Sequence, residues 1–403
     1  MDKLEIESLA GKVQQAVASY DPSDSSSWIP IQDAIEELRR ATEPPHVFLM
    51  KQRFHTVQNI CLVAAVEMGL FHILSAGAGE SVTASDLAKE SGYDQTLIAR
   101  IMRMMTALGL ATEAGYQSYR ANARTICQSD LGSIGGLVIA SSMLYPLASH
   151  IHQYLNQQKP CATDESPAPY TFAMRETLWE TLSTDLAWKQ AFDNNMTTRN
   201  KSFSVPWHSK YPVRERLPPP SPINPEQPLK PFTIVDIGGS QGVDLQRFAT
   251  AFPEVPCELI LQDLPETVNG IPSGLDSRIR PMVYDFFTPQ PVKGADLYYL
   301  KSILHDWNDE AAQKILSTTA QVMGPHSRLL INEIVLAETG ETLARADMDM
   351  LMWLLCNGME RTRRQWEELL GRIEPPLRIV AVWPGEGADP QCVIESCLVG
   401  SEA

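Results

Sequence analysis

Seven prolines fall between Pro218 and Pro231 in the stretch "RERLPPPSPINPEQPLKPF". Proline locks φ and has no backbone N–H, so neither a helix nor a central strand runs through such a segment. It is expected to be extended and stiff, a linker between two bodies. At 403 residues the chain has room for two domains. The expected boundaries are 1–216 for a helical domain, 217–231 for the linker and 232–403 for a second domain.

The texture changes across that segment. "PFTIVDIGGSQG" reads as a buried strand, "VDLQRFATAF" as a helix, "CELILQD" and "ADLYYLKSIL" as strands, "DEAAQKILSTTAQVM" as a helix and "SRLLINEIVL" as a strand. Apolar β-rich runs alternating with helices predict an α/β fold with a doubly wound parallel sheet. "LRIVAVWPGEGADPQCVIESCLVG" predicts two final strands joined by a Gly/Pro turn, an antiparallel hairpin on the sheet edge.

The first half is helical. A pattern over the first 45 residues is expected to stop at Pro44 and Pro45, followed by a dense apolar helix from Lys51 to Leu74. Next come a helix from Ser85, a stop at Gly92, a longer helix from Asp94, and a hairpin centred on Ala114 and Gly115. Helix, turn, helix and two short strands make a winged helix. That motif suggests DNA binding, but its second helix mixes Arg100 and Arg103 with Ile101, Met102, Met104, Met105 and Leu108. The formal net charge is −16, and a phosphate backbone demands clustered Lys and Arg. Dimerisation is the better reading, and neither nucleic acid nor an anionic membrane is an expected partner. "GGLVIASSMLYPLASH" reads as too short and polar to span a bilayer, being broken by serines, Pro146 and His150. "MDKLEIESLA" has no basic start followed by an apolar run. The seven cysteines are scattered without a C-x-x-C pair, as expected for reduced thiols in the cytoplasm.

"VDIGGSQGVD" puts Asp236, Gly238, Gly239 and Gly242 where the first strand of the second half meets its helix. In an open parallel sheet, ligands bind at such a crevice. Asp263 ends the next strand, 21 residues after Gly242, where a carboxylate can accept from both ribose hydroxyls. The turn does not fit the dinucleotide fingerprint G-x-G-x-x-G. A nucleoside lacking a pyrophosphate, such as S-adenosylmethionine, needs a less close helix approach. Asp285 in "VYDFF" can bond an adenine amino group, and Phe286 can cover the ring. A plain tight turn is the bland alternative.

"LKSILHDWNDE" ends the fourth strand on that same face. A lone histidine is often structural, and no other His or Cys stands near His305 at metal-ligand spacing, so no metal set is expected. A general base fits better, since an ordinary imidazole is neutral near pH 7. A base needs a carboxylate to orient it. Glu333, flanked by apolar residues in "LLINEIVL", and Glu360 in "NGMERT" are the candidates, against the alternatives of an edge position and a solvated loop charge. Thr362 with Gln365 reads as the capping box of the next helix.

Together "VDIGGSQG", "LQDLPE", "YDFF", "LKSILHDWNDE", "NEIVL" and "GMERTRRQW" resemble the plant and fungal S-adenosylmethionine-dependent O-methyltransferases of small molecules, in order over 232–370. The winged helix is similar, more loosely, to that family's dimerisation domain. The resemblance implies a Rossmann-like methyltransferase domain behind a dimerisation domain, and a homodimer. It implies that His305 deprotonates the acceptor hydroxyl while Glu333 and Glu360 steer it. The cofactor residues it implies are Asp236, Gly238, Gly239, Asp263, Leu264, Asp285, Phe286 and Lys301. "AFDNNMTTRN" resembles the segment that closes over the acceptor, with Phe192 and Met196; Trp307, Trp353 and Asn357 join them in an apolar pocket expected between the domains. Ordinary helix packing is the other reading of Phe192 and Met196. Two departures stand out: Ser240 replaces the third glycine of the turn, and the loop between Glu333 and Glu360 is shorter than in plant members. The proline linker and the "GGSQG" variant look more like filamentous-fungal members that decorate polyketides or alkaloids. Two further readings stay open: the same fold running a pericyclic or decarboxylating reaction, and a winged-helix regulator that senses the cofactor.

Overall fold

The structure is a computed structural model that describes residues 2–24, 26–77, 79–157, 166–216, 231–271, 273–385 and 389–401. The proline-rich linker lies outside these residues except for Pro231. Packing divides the chain into two units: 1–149 with 179–203, and 150–178 with 204–403.

The first unit is mostly helical. The first 45 residues form two helices, Lys3–Ala18 and Ile29–Thr42. Between them Asp21 and Asp24 accept hydrogen bonds from the backbone and hydroxyls of Ser23 and Ser26, which favours turns over helix. The second helix stops ahead of Pro44, as expected, and Pro45 begins the next one, Pro45–Glu67, six residues before the Lys51 start expected for it. At the first helical position its missing N–H costs nothing. The dense apolar helix expected up to Leu74 breaks at Gly69, whose φ of 69° starts a separate helix, Leu70–Ala76.

The winged helix is present. Helix Ala84–Ser91 is opened by a Thr83–Asp86 capping box and closed by left-handed Gly92, and helix Gln95–Ala107 is capped by Asp94. Strands β1 (Ser81–Thr83), β2 (Thr112–Gly115) and β3 (Ser118–Arg120) pair antiparallel in the order β1-β3-β2. The hairpin turns at Tyr116 and Gln117 rather than at Ala114 and Gly115, which belong to β2. Ile98, Ile101, Met102 and Met105 recur at i, i+3, i+4 and i+7 and are all buried, so the helix that would read DNA faces its own core.

Leu131–Gln157 is one 27-residue helix that continues through Pro146. Among the described helices it alone is long and apolar enough, by length and composition, to cross a membrane. The expectation that this run is too short and polar is therefore corrected: the helix extends at both ends beyond the quoted segment. Gly132, Gly135 and Gly136 let it pack closely on helix Leu186–Phe203, where Cβ atoms would meet Thr198, Ala191 and Asn195 at under 3 Å.

In the second unit β4 (Phe232–Ile237), β5 (Cys257–Asp263), β6 (Ile279–Val283), β7 (Leu297–Lys301) and β8 (Arg328–Leu336) pair in parallel. The two-residue β9 (Arg361–Thr362) pairs with β8. The last two strands, β10 (Leu377–Trp383) and β11 (Gln391–Leu398), form the expected antiparallel hairpin. Their order is β10-β11-β8-β7-β4-β5-β6. Side chains alternate between two apolar layers: Val235, Ile237, Tyr298 and Leu300 face one, Ile234, Leu297 and Tyr299 the other. The chain winds outward from β4 through β5 and β6, then returns to place β7 on the other side of β4. That reversal leaves a crevice beyond the carboxyl ends of β4 and β7, where an open α/β sheet takes its ligand.

Candidate active site

The glycine turn follows β4 directly. A Cβ on Gly239 would lie 2.6 Å from the Asp236 carboxylate and 2.5 Å from Leu261, so no larger residue fits there. Ser240 takes φ 52°, and its N–H donates to Asp263 Oδ2 at 2.8 Å. That bond holds a non-glycine residue in the left-handed region. Asp263 Oδ1 accepts from the N–H of exposed Leu264 at 2.8 Å. Asp236 is buried and its Oδ2 has no hydrogen-bond partner. Burial, reinforced by the Asp244 carboxylate, raises its carboxyl well above the usual range.

Lys301, ending β7, reaches back to this turn. Its Nζ donates to Asp244 Oδ2 at 2.9 Å and to Ser204 Oγ at 3.0 Å. Past β6, Asp285 is exposed and accepts from the Phe287 N–H, while Phe286 packs on the core. Trp307 meets Phe287 edge-on at 4.9 Å and Phe286 at 6.1 Å. The expected cofactor residues thus gather around the ends of β4, β5, β6 and β7.

His305 sits in a 3-10 turn, Leu304–Asp306, between β7 and helix Asp309–Ala320. It is 8% exposed, with Glu333 at 0% and Glu360 at 2%. His305 Nδ1 lies 2.8 Å from Glu360 Oε1 and 3.6 Å from Glu333 Oε2. A carboxylate only accepts, so Nδ1 carries the hydrogen and Nε2 is left to take a proton. Glu333 Oε1 accepts from the N–H groups of Ile303 and Leu304, both at 2.9 Å, and so ties β8 to the histidine turn. Donor atoms of the three residues lie within 4.8 Å of one another. The reading that no metal-type set surrounds His305 counted only nearby His and Cys; the fold supplies two carboxylates from distant elements instead.

The imidazole is not the ordinary one expected. Burial disfavours its charged form, but Glu333, Asp306 and Glu360 outweigh burial and hold it up at about 10. Burial lifts Glu333 to about 7 and Asp306 to about 6, with the His305 charge opposing both. The expectation of a mostly neutral histidine at pH 7 is corrected: several buried carboxylates share one imidazole.

Three residues that shape this turn were not anticipated. Asp306 Oδ1 lies 3.7 Å from His305 Nε2 and accepts from Cys356 Sγ. Fully buried Arg361 donates to the carbonyls of Leu304 and Trp307 at 2.9 and 2.8 Å and pairs with Asp309. A Cβ on Gly358 would lie 2.0 Å from the His305 carbonyl oxygen, and the next residue, Met359, donates its N–H to that oxygen at 2.9 Å. Gly358 and Arg361 lie in the Gly-Met-Glu-Arg string, and Asp306 directly follows His305 in its own motif.

The acceptor candidates are more dispersed. The supposed loop between Glu333 and Glu360 contains a 14-residue helix, Leu343–Cys356. It carries Trp353, packed against Tyr154, and ends at left-handed Asn357, whose side chain donates to the Ser166 carbonyl. Phe192 and Met196 are half-buried on helix Leu186–Phe203 of the first unit.

A glycine turn, strand-end carboxylates and a carboxylate-steered histidine at a sheet switch point define a nucleoside-dependent transferase. The sequence matches the model of an O-methyltransferase domain over 225–373 and of an O-methyltransferase dimerisation domain over 50–126. The O-methyltransferase fsr2 of Gibberella fujikuroi is 31% identical over 90% of this chain and 94% of its own. Among solved structures, a pericyclic reaction enzyme superposes with a TM-score of 0.84 at 25% identity, over 98% of this chain and 100% of that one. OxaC in complex with SAH and oxaline does so at 0.81 and 28%, over 98% and 99%. The chain belongs to the S-adenosylmethionine-dependent O-methyltransferases.

Proposed function

We propose that this enzyme transfers the methyl group of S-adenosylmethionine to a phenolic or enolic hydroxyl of a small secondary metabolite, a polyketide or alkaloid, and works as a homodimer. The observation that carries the reading is the Glu333–His305–Glu360 constellation at the switch point, with His305 Nδ1 2.8 Å from Glu360.

The residues around the glycine turn suit the cofactor. Asp236 offers an unpartnered buried oxygen, and the bare Gly239 leaves the turn thin. Asp263, Asp285 and Lys301 are read as partners of the ribose, the adenine amino group and the nucleoside edge, with Gly238, Leu264 and Phe286 beside them. The bound cofactor supplies a methyl already activated by its sulfonium charge. The chain's own work is alignment and proton removal. His305 Nε2 takes the hydroxyl proton, and the imidazolium is then held by Glu360 and Glu333. Trp307, Trp353 and Asn357 are read as the acceptor's surroundings.

Likeness to the pericyclic reaction enzyme favours a second reading, in which the same site turns over a substrate without spending the cofactor. Mass spectrometry separates the two. Purified enzyme is incubated with S-adenosylmethionine and a panel of phenols and alkaloids. Acceptors that gain one methyl as S-adenosylhomocysteine accumulates support transfer. A substrate rearranged with no S-adenosylhomocysteine formed supports the second reading.

A further inference from the structure

Below the cofactor edge lies a buried ion pair that the chemistry above does not use. Lys210 and Asp389 are 0% and 1% exposed, with Nζ 3.0 Å from Oδ2. Lys210 Nζ also donates to Asn332 Oδ1 at 3.2 Å and to the Gln391 carbonyl at 3.1 Å, so all three ammonium hydrogens are placed. Asp389 is equally occupied. It accepts from Val205 N–H through Oδ2 and from Gln391 N–H through Oδ1, both at 3.0 Å. A charged pair this dry is held by geometry and hydrogen bonds rather than by net attraction.

What it positions can be followed outward. Val205 adjoins Ser204, the residue at which the chain re-enters the second unit and whose hydroxyl meets Lys301 Nζ. Gln391 reaches the other way, its Nε2 donating to Ser302 Oγ at 2.7 Å. Ser302 has φ 51°, a conformation that needs support in a non-glycine residue. Lys301 and the turn after it are thus gripped from two sides by groups that converge on one buried pair.

We propose that Lys210–Asp389 is a latch that positions Lys301 and Ser204 for the cofactor, making both members positioning residues for S-adenosylmethionine binding. This rests on the cofactor reading given above. Glu333 grips the His305 turn through its own two bonds, so the latch sets cofactor affinity and leaves the chemical step largely alone.

The test uses the full-length double variant Lys210→Met/Asp389→Asn, which leaves no lone buried charge and keeps one acceptor on residue 389. Calorimetry measures S-adenosylhomocysteine affinity, and steady-state kinetics separate KM from kcat. Loosening Ser204 and the turn after Lys301 is expected to weaken affinity and raise KM by about tenfold, with kcat held within about twofold. Ser204→Ala is expected to move the same quantities in the same direction by less. Unchanged affinity in a folded double variant would overturn the latch, as would an equal fall in kcat with no change in KM. Should the double variant not fold, an unchanged affinity in Ser204→Ala overturns it. If the wild-type protein itself takes no S-adenosylhomocysteine, the cofactor reading has failed instead.

Discussion

His305 is where chemistry and environment meet. Its imidazole is held up at about 10 by the carboxylates around it, so at pH 7 most of it carries a proton. The neutral, proton-accepting fraction grows as pH rises toward 10, and kcat/KM should climb across that interval. Glu360→Gln removes one of the groups that raises the pKa. The rising limb should then move to lower pH, with a lower plateau because the ring is less well oriented; a pH–rate profile checks both. A profile already flat from pH 7 would mean that the imidazole works with an ordinary pKa. The His–Glu–Glu set also has donors a divalent cation could use, but here they are read as steering a base. Activity should therefore survive dialysis against a chelator, and loss restored by one added metal would reverse that reading. The histidine itself was legible in the sequence, because its motif ends a strand on the ligand face. Its raised pKa was not, since that depends on Glu333, Asp306 and Glu360 converging from separate elements.

At the scale of elements, the histidine turn is braced by the segment carrying Gly358 and Arg361. Gly358→Ala places a Cβ 2.0 Å from the His305 carbonyl oxygen. Something must shift, at a cost of about 1–3 kcal/mol. Chemical denaturation should show that loss together with reduced turnover. Thr362 accepts the Gln365 N–H, and the Gln365 side chain accepts the Thr362 N–H, capping helix Arg363–Arg372. Thr362→Ala should lower stability by about 1 kcal/mol with turnover nearly unchanged. That capping box was readable from spacing alone, as were the glycine turn and the alternation of buried strands. Register-dependent features were not. The steric need for glycine at 358 arises only when its segment packs on the His305 turn. The paired prolines end one helix, as expected, but Pro45 also begins the next, because proline suits the first helical position as well as the stop.

At the scale of the whole molecule, a winged helix has been joined to a methyltransferase sheet in a chain of net charge −16. The helix that would enter a DNA groove spends Ile98, Ile101, Met102 and Met105 on its own core. Gel shift with random duplex at low salt should show no retained band, and a salt-sensitive band would favour the regulator reading. Fold class and winged helix were visible in the sequence because each depends on local periodicity. Two bodies were expected from the proline segment, but not the path that takes residues 150–178 into the second unit, which rests on contacts that periodicity does not encode. Methyl transfer driven by a histidine base is tested most directly by single-turnover transfer in wild type and His305→Ala, with S-adenosylhomocysteine affinity measured beside it. The variant should bind S-adenosylhomocysteine as wild type does and transfer the methyl roughly 10²–10⁴-fold more slowly. Near-normal transfer at unchanged affinity would contradict the assignment of His305 as the base.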